Sequence, residues 1–280
     1  MRARPRLEAA CFFLLLAPAL ARGSDATSGS MASPGGSPAP TSSGWTLVFD
    51  DEFDVPGLPD PSRWNQEIGY IANDEKQYYT AGGENARVEG GALVIEARRE
   101  RRMGYEYTSA RLNTKGLAEF LYGKVEIRAK LPTGRGTWPA LWMLGANIAE
   151  AGWPGCGEID IVENVGYDPQ TIAASVHTAA YNHVQGTQKT ATTKLEAPWA
   201  DYHVYAAEWS ADRIDFFVDG QEYFAFRNEG TGPRTWPFDK PQFVILNLAI
   251  GGTWGGRKGI DDSLFPHRLY VDYVRVYQQK

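Results

Sequence analysis

The sequence predicts an all-β protein built as a sandwich of two antiparallel sheets. Three observations carry this reading. Runs that alternate apolar and polar residues with a period of two recur along the chain, whereas the 3.6-residue period of helices is scarce. Turn-forming residues are abundant, with 30 Gly and 17 Pro in 280 residues. These turn residues fall between the alternating runs, as the connections of a sandwich require.

In chain order the alternating runs lie at 92–97, 123–131, 171–178, 203–209, 213–218, 222–226, 242–249 and 270–277. Asp219-Gly220 separates two of them by two residues, a strong hairpin signal because both residues tolerate positive φ. Gly90-Gly91 predicts another tight turn. No internal repeat or second domain is visible, and a single folded domain is expected over 44–280.

The chain ahead of that domain has a different character. Arg2, Arg4 and Arg6 form a basic start, residues 9–20 are apolar, and Ala19-Leu20-Ala21 suits cleavage after small residues. This reads as a signal peptide over 1–21, because the apolar run is too short to span a bilayer. Residues 22–43 are mostly Gly, Ser, Pro, Thr and Ala and read as a flexible linker or tail. The expectation is a secreted protein, extracellular or periplasmic, monomeric and free of the membrane once the signal is removed.

The net charge of −6 becomes about −8 when the signal peptide takes away three Arg and one Glu. An acidic surface argues against nucleic acid or anionic membranes as partners. The basic cluster at 98–102 reads as a solvated strand end. Cys11 leaves with the signal, so Cys156 stands alone and an intrachain disulfide is excluded. Stability must then come from a large core or a bound metal. Cys156 lies between two glycines with no local base, which predicts a buried, inert thiol.

The chain carries nine Trp, fourteen Tyr and twelve Phe. Several Trp stand beside Gly and Pro at expected loops or strand ends: Trp138 in 136–139, Trp153 in 152–154 and Trp254 in 252–255. Flat apolar rings next to polar groups suit sugars, whose C–H faces stack while their hydroxyls hydrogen-bond.

The most informative run is Glu158-Ile159-Asp160-Ile161-Val162-Glu163. Glu158 and Asp160 share one face of a strand, and Ile159 and Ile161 point into the core. Glu163 has the wrong parity for the acidic face of a regular strand. A β-bulge near Ile161-Val162 restores it there; without one, its carboxylate faces the core, where an unpaired charge is costly. Three carboxylates on one face repel, so at least one holds its proton while another is ionised. Retaining glycosidases need that pairing of nucleophile and acid. A solvated strand face is the plainer alternative, which the Gly- and Trp-rich flanks oppose. The absence of a suitably placed histidine weighs against a metal site, although an all-oxygen calcium site stays open.

At these residues the chain resembles glycoside hydrolase family 16, and more narrowly its bacterial laminarinase-type β-1,3-glucanases. The resemblance rests on GCGEIDIVE, preceded by GTWPALWML and Trp153-Pro154. It continues with LVFDDEFD at 47–54, NDEKQYYT at 73–80, YTSARL at 107–112, LNLAIGGTWGG at 246–256 and VDYVRVYQ at 271–278. It implies a β-jelly-roll sandwich with a cleft across its concave sheet, and a retaining mechanism that needs no cofactor. Glu158 resembles the nucleophile, Glu163 the acid/base and Asp160 the assisting carboxylate. The extra residue between them matches the branch with laminarinases and agarases, not the shorter Glu-x-Asp-x-Glu of lichenases. Trp138, Trp142 and Trp153 match aromatics along the glucose subsites, and His177 resembles the histidine near the cleaved bond. Asn73, Arg111, Asn247 and Trp254 fit cleft-lining positions, with Gln77 a weaker candidate. Glu52, Gly91 through its carbonyl, and Asp272 match a structural Ca²⁺ site far from catalysis.

The resemblance thus implies an endo-β-1,3-glucanase with a β-glucan as its partner, open to some mixed-linkage β-1,3-1,4 activity. A galactan hydrolase such as an agarase, or a non-catalytic glucan-binding protein, are the alternatives.

Overall fold

Alternation along the strands becomes two antiparallel sheets packed on one apolar core. The computed structural model describes residues 44–280. The expected signal peptide and linker lie outside the described residues. The strands are β1 (Trp45–Asp51), β2 (Asn65–Gln66), β3 (Gln77–Tyr79), β4 (Ala86–Val88), β5 (Leu93–Ala97), β6 (Tyr107–Ser109), β7 (Arg111–Asn113), β8 (Gly123–Lys130) and β9 (Thr137–Gly145). They continue as β10 (Glu158–Glu163), β11 (Thr171–His177), β12 (Lys189–Lys194), β13 (His203–Trp209), β14 (Arg213–Val218), β15 (Gln221–Arg227), β16 (Gln242–Ile250) and β17 (His267–Gln279).

The first sheet runs β15-β14-β13-β8-β17-β5-β4, with β1 also on β17. The second runs β12-β11-β10-β9-β16-β7-β2, and β3 and β6 form a short parallel pair. This is the jelly-roll sandwich that the resemblance implied. Between the sheets, Ile159, Ile161, Val162, Val244, Leu246 and Leu248 of the second meet Val125, Ile127, Val274 and Val276 of the first, all buried. Each such side chain contributes about 1.5–3 kcal/mol on burial. A core of this size answers the stability question raised by the missing disulfide. Cys156 is free and fully buried, and burial pushes its thiol up to about 11, so it is inert as expected.

The predicted runs appear as strands, with ends differing by a few residues. At Asp219-Gly220 the register closes Val218 on Gln221, and both turn residues have positive φ, 50° and 77°. Gly90 and Gly91, at φ 63° and 78°, turn the chain between β4 and β5. The run at 270–277 grows into the thirteen-residue β17 because three strands share it: β5 pairs with its first part, β1 with its last, and β8 lies along its other edge.

The Trp-rich segment after Gly136 begins at a strand end, as read for Trp138, and continues where no alternating run was marked. It is β9, a nine-residue strand in the middle of the second sheet. Trp138 and Trp142 sit on its cleft face opposite a core face of Leu141 and Met143, so both faces are largely apolar and no period of two shows. The basic cluster is absorbed by acids: Arg98 pairs with Glu96 and Glu100, Arg99 with Asp262, and Arg101 with Glu106.

Candidate active site

Strand register decides which side chains meet on the outward face of the second sheet. On β10, Asp160 stands opposite Trp142 of β9, yet Val162 stands opposite Leu141, the very next partner. On the other edge, Asp160 faces Ser175 and Glu163 faces Ala173 of β11. One extra residue therefore lies between Asp160 and Val162. This is the bulge that parity demanded, and it turns Ile161 and Val162 both into the core while Glu158, Asp160 and Glu163 share the cleft face.

Each glutamate accepts a hydrogen bond from one tryptophan. Trp153 Nε1 donates to Glu158 Oε2 at 3.0 Å, and Trp138 Nε1 donates to Glu163 Oε1 at 2.9 Å. The indoles fix both carboxylates and are held by them in turn. His177, opposite Glu158 in the register, brings Nε2 to 3.2 Å from Asp160 Oδ2 and 3.6 Å from Glu158 Oε1.

The electrostatics follow from crowding in a buried site. Burial first, then the Asp160 carboxylate, pushes Glu158 up to about 8, against the pull of His177. Burial first, then Asp160, likewise pushes Glu163 up to about 8, against the Trp138 hydrogen bond. Asp160, 3% exposed, is driven well above the usual carboxylate range by burial. Crowding and burial therefore hold a proton in the trio to higher pH than an ordinary carboxyl would keep it, the condition for one acid beside one base. His177 lies on the Glu158 side and favours the negative charge there.

The other expected residues gather round this strand. Asn247 accepts a bond from Trp142 Nε1 at 2.8 Å and donates to Tyr79 Oη at 3.2 Å. Arg111 lies opposite Asn247 in the register, stacks over the Trp142 ring at 4.8 Å and pairs with Glu67 at 3.1 Å. Trp254 packs edge-on against Trp138 with centroids 5.8 Å apart. Asn73 reaches Glu75 at 3.4 Å. Gln77 is fully buried; it donates to Glu75 at 2.6 Å and accepts from the Ile250 N–H at 2.7 Å, so it is spent on structure.

Three neighbours were given no role of their own from the sequence. Glu75, 7% exposed, is a fourth carboxylate in the site, and Tyr79 bonds it at 3.2 Å. His183 packs at a tilt against Trp153, with centroids 4.9 Å apart, and edge-on against His177 at 5.2 Å. Glu75 was hidden inside a run read only as a landmark, and His183 in a loop where no spacing rule applies. His177 stands beside Glu158 and Asp160, where the resemblance set it, although the residue spacing alone had offered no histidine for a metal site. Oxygens of Glu158 and Asp160 and a nitrogen of His177 lie within 4.8 Å of one another.

The residues matched to a calcium site divide. Asp51 pairs with Val274, and Leu93 with Val271, which brings the chain around Glu52, Gly91 and Asp272 to one end of these strand pairs. Both oxygens of Glu52 are taken by Arg275 at 2.7 and 2.8 Å, so its side chain is committed. Asp272 gives Oδ2 to Arg128 at 2.7 Å.

The profile of glycosyl hydrolases family 16 matches residues 73–275. The chain belongs to this family. A beta-glucanase of Rhodothermus marinus is 52% identical over 244 residues, covering 84% of this chain and 85% of its own length. The X-ray structure of the laminarinase from Rhodothermus marinus superposes with a TM-score of 0.82, covering 84% of the family 16 chain described here and 98% of its own. SCLam, a non-specific endo-β-1,3(4)-glucanase of the same family, superposes with a TM-score of 0.82 at 48% identity, covering 87% of this chain and 95% of its own. A keratan-sulfate endo-1,4-β-galactosidase of Sphingobacterium multivorum is more distant, 34% identical over 239 residues, 84% of this chain and 55% of its own length.

Proposed function

We propose that this chain cleaves internal β-1,3-glucosidic bonds of glucans such as laminarin, with retention of configuration and some activity on mixed-linkage β-1,3-1,4-glucan. The observation that carries the proposal is the bulged strand, which sets Glu158 and Glu163 on one face with Asp160 between them. Glu158 attacks the anomeric carbon, forming a covalent glycosyl-enzyme while the bond to the leaving oxygen breaks. Glu163 gives that oxygen its proton. Glu163, now ionised, takes a proton from water, and the hydroxide displaces Glu158. Asp160 shares the face and, with His177, sets the charge on Glu158. Trp138, Trp142, Trp153 and Trp254 offer faces to the glucose rings, and Arg111, Asn73 and Asn247 offer polar groups to their hydroxyls.

The 52% identity to a beta-glucanase, against 34% to a galactosidase, favours glucan over galactan. Three carboxylates kept together on one face, two of them held by indole N–H groups, favour hydrolysis over binding alone. Product analysis on laminarin, lichenan and agarose, side by side, tests this. Laminarin is expected to release short oligosaccharides fastest, lichenan more slowly and agarose nothing. Release from agarose alone gives the galactanase reading, and binding of laminarin without release gives the binding-protein reading.

The proposal includes export of a monomer, supported by the basic and apolar start of the chain and its small-residue cleavage site. It also includes a structural Ca²⁺ at the β1–β17 end, held by Asp272 and the Gly91 carbonyl, since the Glu52 carboxylate is occupied. Such an ion ties strands together and takes no part in catalysis. EDTA is expected to lower Tm by about 2–4 °C for each kcal/mol of linked binding, and added Ca²⁺ to restore it. A Tm indifferent to both removes the ion from the proposal.

A further inference from the structure

Glu75 is a buried carboxylate, and among the described residues no arginine or lysine is hydrogen-bonded to it. Its Oε2 accepts from Gln77 Nε2 at 2.6 Å and Tyr79 Oη at 3.2 Å, and its Oε1 from Asn73 Nδ2 at 3.4 Å. Burial raises the Glu75 carboxyl above its ordinary value, and these three neutral donors, together with the nearby Arg111 charge, pull it back toward the ionised form. Tyr79 in turn bonds Asn247, and Asn247 bonds Trp142, so Glu75 is tied to the floor of the cleft.

Gly252 shows what lies beside it. Its φ is +74°, and a Cβ there would come within 3.0 Å of the Trp138 ring, 3.1 Å of the Asn73 carbonyl and 3.2 Å of Glu75 Cγ. Glu75 and Trp138 therefore both crowd this one glycine, and Trp138 is the residue that donates to Glu163. A bridge between Glu75 and Gly251 fixes the backbone of the two segments. Glu75 and the indole that donates to Glu163 therefore lie against the same glycine.

We propose that Glu75 is a positioning residue for the general acid, an ionised carboxylate beside Trp138 whose charge holds the proton on Glu163. This rests on Glu163 being the acid of the proposed hydrolysis. The titratable groups facing Glu163 are Glu158 and Asp160 from its own strand, His177 from β11 and Glu75 from the segment before β3. Arg111 of β7 acts on Glu75, and the Lys76 stem packs at Gly251. Repulsion from Glu75 is among the causes that raise Glu163.

The test is the pH dependence of kcat/KM on laminarin for wild type, Glu75→Gln, Glu75→Asp and Tyr79→Phe. The alkaline limb reports loss of the acid's proton. Glu75→Gln keeps the shape and removes the charge, and is expected to move that limb down by about half a pH unit or more. Glu75→Asp and Tyr79→Phe keep the charge and leave the limb in place. An unmoved limb in Glu75→Gln overturns the proposal, as does an equal shift in Tyr79→Phe, which marks loosened packing. A carboxyl ¹³C titration of Glu163 in a Glu158→Gln background, with and without Glu75→Gln, reads the same effect without turnover. If wild type is inactive on every glucan, the proposed function fails, and this titration still decides the electrostatic link.

Discussion

Replacing Glu158 with alanine is expected to lower kcat on laminarin by about 10⁴-fold or more, because the proposed mechanism gives the other two carboxylates on that face the acid/base and supporting roles and leaves none to form the glycosyl-enzyme. That loss corresponds to roughly 5.5 kcal/mol of transition-state stabilisation. Glucan binding persists, since the aromatic and polar walls are untouched. Added azide fits the space left by the carboxylate and attacks the anomeric carbon directly, giving a glycosyl azide of inverted configuration. An azide product of retained configuration would move the nucleophile elsewhere, and full activity in the variant would remove Glu158 from the chemistry.

The same side chain carries a stability cost whose sign follows from its pKa. In the folded protein Glu158 is raised from 4.5 to about 8. A raised pKa means that the fold prefers the protonated form. Its contribution is fully present below about 4.5, and stability is lost progressively as pH rises through about 8. Glu158→Gln mimics the protonated state at every pH. It is therefore expected to be inactive and more heat-stable than wild type, with the gain growing from pH 5 to pH 8. Each kcal/mol recovered is worth about 2–4 °C in Tm for a domain of this size. Differential scanning calorimetry across that range checks it.

Replacing Glu163 with alanine is expected to cost about 10²–10⁴-fold on laminarin and much less on an aryl β-glucoside with an acidic phenol, which leaves without a proton. Glycosyl-enzyme then forms from the activated substrate but waits for water with no base to activate it. Azide is expected to speed its breakdown and to give a product of retained configuration, the opposite outcome to Glu158→Ala. The alkaline limb of the pH profile should vanish as well, because the proton it reports is gone. Equal losses on laminarin and on the activated substrate would deny Glu163 the role of acid.

Much of the fold was legible because the strands of the first sheet face core on one side and solvent on the other. β8 alternates buried and half-buried at all eight positions, and β13 and β14 were bounded by the alternation to the residue. β9 was not legible, since Trp138 and Trp142 give its outward face the same apolar character as its core face. β16 has all nine positions buried, and its alternation in sequence is a change of residue type without a change of exposure. Glu75 and His183 were not found because they lie on segments whose position in space is set by contacts far along the chain, Glu75 by Gly251 and His183 by Trp153.

By itself the sequence determined the two sheets, the hairpin at Asp219-Gly220, the inert Cys156 and the need for a bulge in the acidic strand. Those follow from local rules: residue period, turn chemistry and the cost of a charge facing a core. Only the tertiary structure decided how the acidic strand is surrounded. Trp153 and Trp138 each hold one glutamate, His177 comes between Glu158 and Asp160, Arg275 takes the Glu52 carboxylate, and Glu75 arrives beside Trp138. The physical reason is that these contacts join residues on different strands and loops. Register and burial set them, and neither is written in the spacing of any one segment.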